Sequence, residues 1–201
     1  MTTARDLMIV ALDVPPVREV GQGDLSLALA GAEAVDLVRA GSFVLDGDLV
    51  VPGPPTAPQD PLLAEAESSL VRTEPYESVE NWLWRRGRGL AAAYAARLAA
   101  DGLVARPRGR LLGARPAPAV PVDSPARRRA TARWASDEPV LATLAVSVGL
   151  REEPAEGFPG TLDDTVETLL ATAGDALAEL EAVRRRRAVE DAAFDNMWQA
   201  L

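Results

Sequence analysis

Apolar positions along the chain recur mostly at helical intervals. Within "DLSLALAGAEAVDLVRAG", Leu27, Ala30, Ala34, Leu37 and Val38 fall three or four residues apart, with Asp24 placed to cap and Gly41 placed to stop a helix. Val166, Leu169, Leu170, Ala173, Leu177 and Leu180 make a second such stripe. Between them the pattern predicts helices over 59–72, 78–86, 89–101, 124–136 and 138–149. The run from Leu7 to Leu12 fits either a helix or a buried strand, because a short apolar run does not separate the two. "LVRAGSFVLDGDLVVPGPP" and "LAADGLVARPRGRLLGARP" each read as helix end, Gly, short strand, Gly-containing turn, short strand and Pro. Each predicts a small hairpin folded back on the preceding helix, although two copies do not make a repeat architecture.

Composition narrows what such a helical chain can do. Its 201 residues fit one domain, and 48% hydrophobic content supplies a sizeable core. Only 4% of residues are aromatic, so alanine, leucine and valine must fill that core. There is no Cys and no His, and all 21 basic residues are Arg. Thiolate and imidazole metal sites, Cys or Ser–His nucleophiles, a Lys Schiff base and a lysine phosphate loop are thereby excluded. The adjacent carboxylates Glu152–Glu153 and Asp163–Asp164 do not face one another on a helix. No enzyme, metal or cofactor is expected. The N-terminal apolar run is a poor signal peptide, and no stretch reaches the ~18 apolar residues of a membrane span. The expectation is a cytoplasmic protein that can still bind a membrane surface.

Charge is distributed unevenly. Residues 1–80 carry 4 Arg against 14 acids, residues 81–135 carry 12 Arg against 2, and residues 136–201 carry 5 Arg against 14. A basic middle between acidic flanks either pairs internally to close the fold or presents a positive face to an anionic partner. In "SPARRRATARW", Ser124 and Pro125 open a helix, yet Arg127, Arg128 and Arg129 then sit at its positive end, where a cation is disfavoured. In "ESVENWLWRRGRGL", Trp82 reads as core, while Trp84 beside Arg85, Arg86 and Arg88 suits a lipid interface. "RRRR" at 184–187 reads as a basic tail or, more simply, as cations at a favourable helix C-terminus. Phe194, Met197, Trp198 and Leu201 form a stripe that could dock on the core or on a second copy, which makes a homodimer through the C-terminal helix a candidate assembly.

The order of these motifs resembles the Golgi phosphoprotein family (GPP34-like) in its bacterial, actinomycete-like form. "ARDLMIVAL", "ALAGAEAVDLVRAGSFVLDGDLV", "ESVENWL", "RLAADGLV" and "VDSPARRRATARWASDEPVLATLAVSVGL" follow one another over roughly residues 4–150, with 151–201 similar only as helical sequence. The resemblance implies an all-α fold: a compact helical bundle with surrounding amphipathic helices and one or two small β-hairpins, forming a single domain over 1–201 with its family-like core in 1–150. It also implies a peripheral membrane protein that binds phosphatidylinositol 4-phosphate-like anionic headgroups through a basic surface pocket, and that engages protein tails, for which the basic middle suits acidic ones. Two pocket side chains of eukaryotic members, a tryptophan and an arginine, are replaced by Gly21 and Ala30. The family's second basic contribution falls on Arg127, Arg128 and Arg129, with Arg85, Arg86, Arg88 and Trp84 as candidates for the same face. The self-association hairpin of eukaryotic members has no counterpart after Trp134, which runs through "ASDEP" into the next helix.

Two other classes compete. "LAADGLVARPRGRLLG" also fits a winged helix with wing arginines at 106, 108 and 110, but "AAAYAARLAADG" has too few cations for phosphate contacts, so no nucleic-acid partner is expected. An adaptor whose basic middle pairs with its own acidic flanks or with an acidic partner is the third reading.

Overall fold

In the computed structural model, residues 2–105, 119–155 and 158–199 are described, with side chains up to residue 190. The described residues form eight helices and two two-stranded antiparallel sheets. The fold is all-α, as the helical periodicity predicts.

The ambiguous apolar run is a helix, α1 (Thr3–Asp13), started by Thr2, whose hydroxyl accepts from the Arg5 amide. The helix α2 (Gln22–Ala40) is the central element, with Ser26 to Val35 buried without interruption. Alanines and Gly31 let its neighbours close on it. A Cβ at Gly31 would stand 3.0 Å from Ala173 Cβ. Thr3 ties α1 to α2 by donating both its amide (2.6 Å) and its hydroxyl (2.7 Å) to Asp36.

Gly41 ends α2 in the left-handed region at φ 79°, and the chain then turns into β1 (Phe43–Asp46) and β2 (Leu49–Pro52) around Gly47. This is the first predicted hairpin. Glu67 of α3 (Pro61–Ser68) fastens the segment after it, accepting from Ser42 Oγ, Thr56 Oγ1 and the Thr56 amide, each at 2.7 Å. Then follow α4 (Val79–Arg86) and α5 (Leu90–Ala100). The strand β3 (Val104–Ala105) pairs with β4 (Val120–Pro121), so its partner lies further along the chain than the second predicted hairpin would put it. That hairpin's predicted turn and return strand, and the arginines at 106, 108 and 110, lie outside the described residues.

After β4 come α6 (Pro125–Ala135), α7 (Pro139–Val148) and the long α8 (Asp164–Gln199). Val166, Leu169, Leu170, Ala173, Ala176 and Leu177 of α8 enter the same core as α2, α4 and α7, whereas 181–190 is exposed throughout. The core is alanine, leucine and valine with Phe43, Tyr94 and Trp82, the last only 1% exposed, as expected. The 184–187 arginines sit within α8 and not at a helix C-terminus, which corrects the sequence expectation. The side chains of Phe194, Met197, Trp198 and Leu201 lie outside the described residues. Among the described residues no helix is long and apolar enough to cross a membrane.

Candidate functional site

Ser124 and Pro125 start α6 as the sequence predicts, the Ser124 hydroxyl accepting from the Arg127 amide. Each of the three arginines that follow faces a carboxylate. Arg127 forms a two-pronged pair with Asp13 (2.9 and 2.6 Å), and Arg128 pairs with Asp123 (2.8 Å) in the open. Arg129 (2.5 Å) and Arg133 (2.8 Å) converge on Asp6, which is buried. Asp13 closes α1, where the dipole disfavours an anion, just as the start of α6 disfavours Arg127. Bringing the two ends together neutralises both. The hydrogen bond to Asp13 raises the Arg127 pKa.

The arginines of α4 are engaged with a different set of acids. Arg85 grips Glu77 (2.9 and 2.6 Å) and donates to the Ser69 carbonyl. Arg86 runs inward to Glu33 (2.7 and 3.0 Å), and also holds Glu65 and the Leu62 carbonyl, both at 2.8 Å. The Tyr94 hydroxyl donates to Glu33 (2.9 Å). Burial pushes the Glu33 carboxyl up, against the restraining pull of Arg86 and Tyr94. Burial also works against the charged Arg86, but Glu33 and Glu65 outweigh it and raise its pKa. Among the described residues the α6 cations answer to α1, Asp123 and Glu138, the α4 cations to α2, α3, Glu77 and the Ser69 carbonyl, and the two groups share no partner.

Arg88 behaves differently. It is exposed at the corner between α4 and α5 and makes no ion pair or side-chain hydrogen bond with the described residues. It borders a groove of about 270 Å³, whose walls include Gln22, Gly23, Trp84, Gly89 and Leu180, and no acidic side chain among the described residues lines it. Two helix starts open here without side-chain caps: Gly21 before α2 and Gly89, at φ 71°, before α5. The Ala91 amide is already satisfied by Ser26 Oγ (3.1 Å). Gln22 and Gly23 of the first turn of α2 line the groove, and Gln22 is exposed. Trp84 is half-buried, with its ring packed partly against the core and partly along the groove.

The expected site residues thus divide into two α6-centred and α4-centred ion-pair groups and one groove that keeps Arg88 and Trp84. Sequence reasoning missed Gln22, Gly23, Gly89 and Leu180. The signal was present in "GQG" at 21–23 and "RGRG" at 86–89, glycines at helix starts beside arginine. Placing the cap of α2 at Asp24 hid it, since Asp24 stands inside the helix and its carboxylate reaches back to the Gly21 amide (3.2 Å). Gly21 borders this region, whereas Ala30 is fully buried in α2 and lines no surface.

A profile of the family described as Golgi phosphoprotein 3 (GPP34) matches residues 4–193. No curated protein matches the chain.

Proposed function

The chain belongs to the Golgi phosphoprotein 3 family, and on that premise we propose that it is a peripheral membrane protein that binds anionic phospholipid headgroups at the groove between α2, α4 and α5. The observation that carries this reading is Arg88, a cation without an ion pair or side-chain hydrogen bond among the described residues, in a groove that no described acidic side chain lines, beside the glycine-led starts of α2 and α5. A phosphate there accepts from backbone amides and from a guanidinium fork together, and both helix dipoles favour it. Trp84 supplies an amphipathic ring at the edge, of the kind that rests at a lipid interface. The reading is of binding alone, with no chemical step. It keeps Arg88 and Trp84 from the expected basic face, and moves the weight away from Arg127, Arg128 and Arg129, whose guanidiniums already face carboxylates. Phosphatidylinositol 4-phosphate is the headgroup the family resemblance favours.

Cosedimentation with phosphatidylcholine vesicles, plain or doped with phosphatidylinositol 4-phosphate or phosphatidylserine, tests this. Binding to doped vesicles at low salt is expected, with a preference for the inositol lipid. Arg88→Gln should lower it about ten-fold, the scale of one charge-assisted contact, while Arg128→Gln leaves it within about two-fold. Equal association with plain and doped vesicles, or indifference to Arg88→Gln, would refute the proposal.

A further inference from the structure

The 184–187 arginine run places one of its members beside this groove, at the mouth of an adjoining pocket that Glu19, Asp24 and Glu181 also line. Leu180 lines the groove, and Arg184 stands one turn further along the same face of α8. Its guanidinium lies on the first turn of α2. A Cβ on Gly21 would be 3.0 Å from Nη1 and one on Gly23 would be 3.0 Å from Nη2, so two small positions are what leave it room. The cation therefore rests over the positive end of a helix, where it is disfavoured. Among the described residues one carboxylate pairs with it, Asp24 at 2.6 Å, and the side chain is still 43% exposed. Arg185 instead reaches along α8 to Glu181 (3.7 Å), and Arg186 and Arg187 are exposed.

We propose that Arg184 is a ligand-contacting residue of the headgroup groove, and that Asp24 is its built-in competitor. Arg184 leaves Asp24 for a phosphate oxygen when a phosphate-bearing headgroup enters, so the headgroup is gripped by Arg88 and Arg184 together. The exchange is local. Asp24 keeps the Gly21 amide as a partner (3.2 Å), the entering phosphate takes over the neutralisation of the α2 terminus, and Arg184 needs only to pivot on an exposed stem. Asp24 thereby sets a threshold, because a weak anion does not displace it and a dianionic phosphate monoester does. This inference rests on the groove being the headgroup site.

The test measures binding of the full chain to phosphatidylcholine vesicles doped with phosphatidylinositol 4-phosphate, and competition by water-soluble inositol 1,4-bisphosphate. Arg184→Gln is expected to weaken both about five-fold, as one partly exposed charge-assisted contact does. Arg185→Gln, which removes the same charge one residue away, should change either by less than about two-fold. Asp24→Asn should tighten binding in the parent chain and lose most of that gain when combined with Arg184→Gln. Equal losses from Arg184→Gln and Arg185→Gln would mean diffuse attraction and overturn the inference. So would a loss on vesicles with unchanged competition by the soluble headgroup. If Arg88→Gln abolishes binding while Arg184→Gln leaves it intact, the inference falls and the headgroup reading stands. If the parent chain binds neither vesicle nor soluble headgroup, both fall.

Discussion

Glu67 and Glu33 are both buried carboxylates, and their surroundings drive them in opposite directions. At Glu67, burial favours the neutral acid, but hydrogen bonds from Thr56, Ser42 and the Ala57 amide prevail and lower its pKa to about 2. The network also holds Ala57 at φ 52°, a conformation that alanine rarely adopts. At Glu33 burial prevails, although Arg86 and Tyr94 both restrain the rise. The depressed group stabilises the fold at neutral pH. That contribution is complete above the ordinary carboxylate value of 4.5 and is lost as pH falls toward about 2. Glu67→Gln should therefore cost on the order of 1–3 kcal/mol at pH 7, the scale of hydrogen bonds to a charged group. The difference from the parent chain should shrink as acid is added through that window. Urea midpoints at neutral and acidic pH check this, and a gap independent of pH would show that the carboxylate charge contributes nothing.

Between elements, the decisive contact is that of α1 with α6. Asp6 is 1% exposed and takes two guanidiniums, whereas Asp13 is 20% exposed and takes one. Removing the charge of Asp6 leaves Arg129 and Arg133 without it in a partly closed site, so Asp6→Asn should cost about 3–5 kcal/mol. Asp13→Asn should cost about 1 kcal/mol or less. Equal shifts in the denaturation midpoint would contradict this ranking of the two ends of α1. The helices themselves were legible. The predicted 78–86, 124–136 and 138–149 match α4, α6 and α7 within a residue or so, because Ser124 and Ser78 cap and Pro125 and Pro139 begin them. The start of α2 was not, since an acid three residues inside a helix resembles an N-cap when the cap itself is a glycine. The site was legible only as a set of cations. Arg85, Arg86 and Arg88 are neighbours in one run, and only the fold sends the first to Glu77, the second inward to Glu33, and the third to an open groove. The pairs of α6 with α1 span 114 to 127 positions, which no local pattern reveals.

For the molecule as a whole, the uneven charge has two uses that salt should separate. Much of the basic middle is consumed inside, in pairs to acids of the N-terminal third that are partly shielded from solvent. Arg88 remains outside. Screening weakens exposed attraction far more than shielded pairs. Raising NaCl from low ionic strength to about 0.5 M should abolish vesicle binding while lowering the melting temperature by only a few degrees. A collapse of the melting temperature over the same range would instead favour an adaptor closed mainly by surface charge. The same pairing also imposes an order on synthesis. The helix α1 is made first, yet its buried Asp6 has no cation until Arg129 and Arg133 have been added, more than 120 positions later. A nascent chain that ends before α6 therefore carries at its start a helix whose acidic side has nothing to close on. The acidic side of the N-terminal helix therefore locks only after the middle of the chain has left the ribosome.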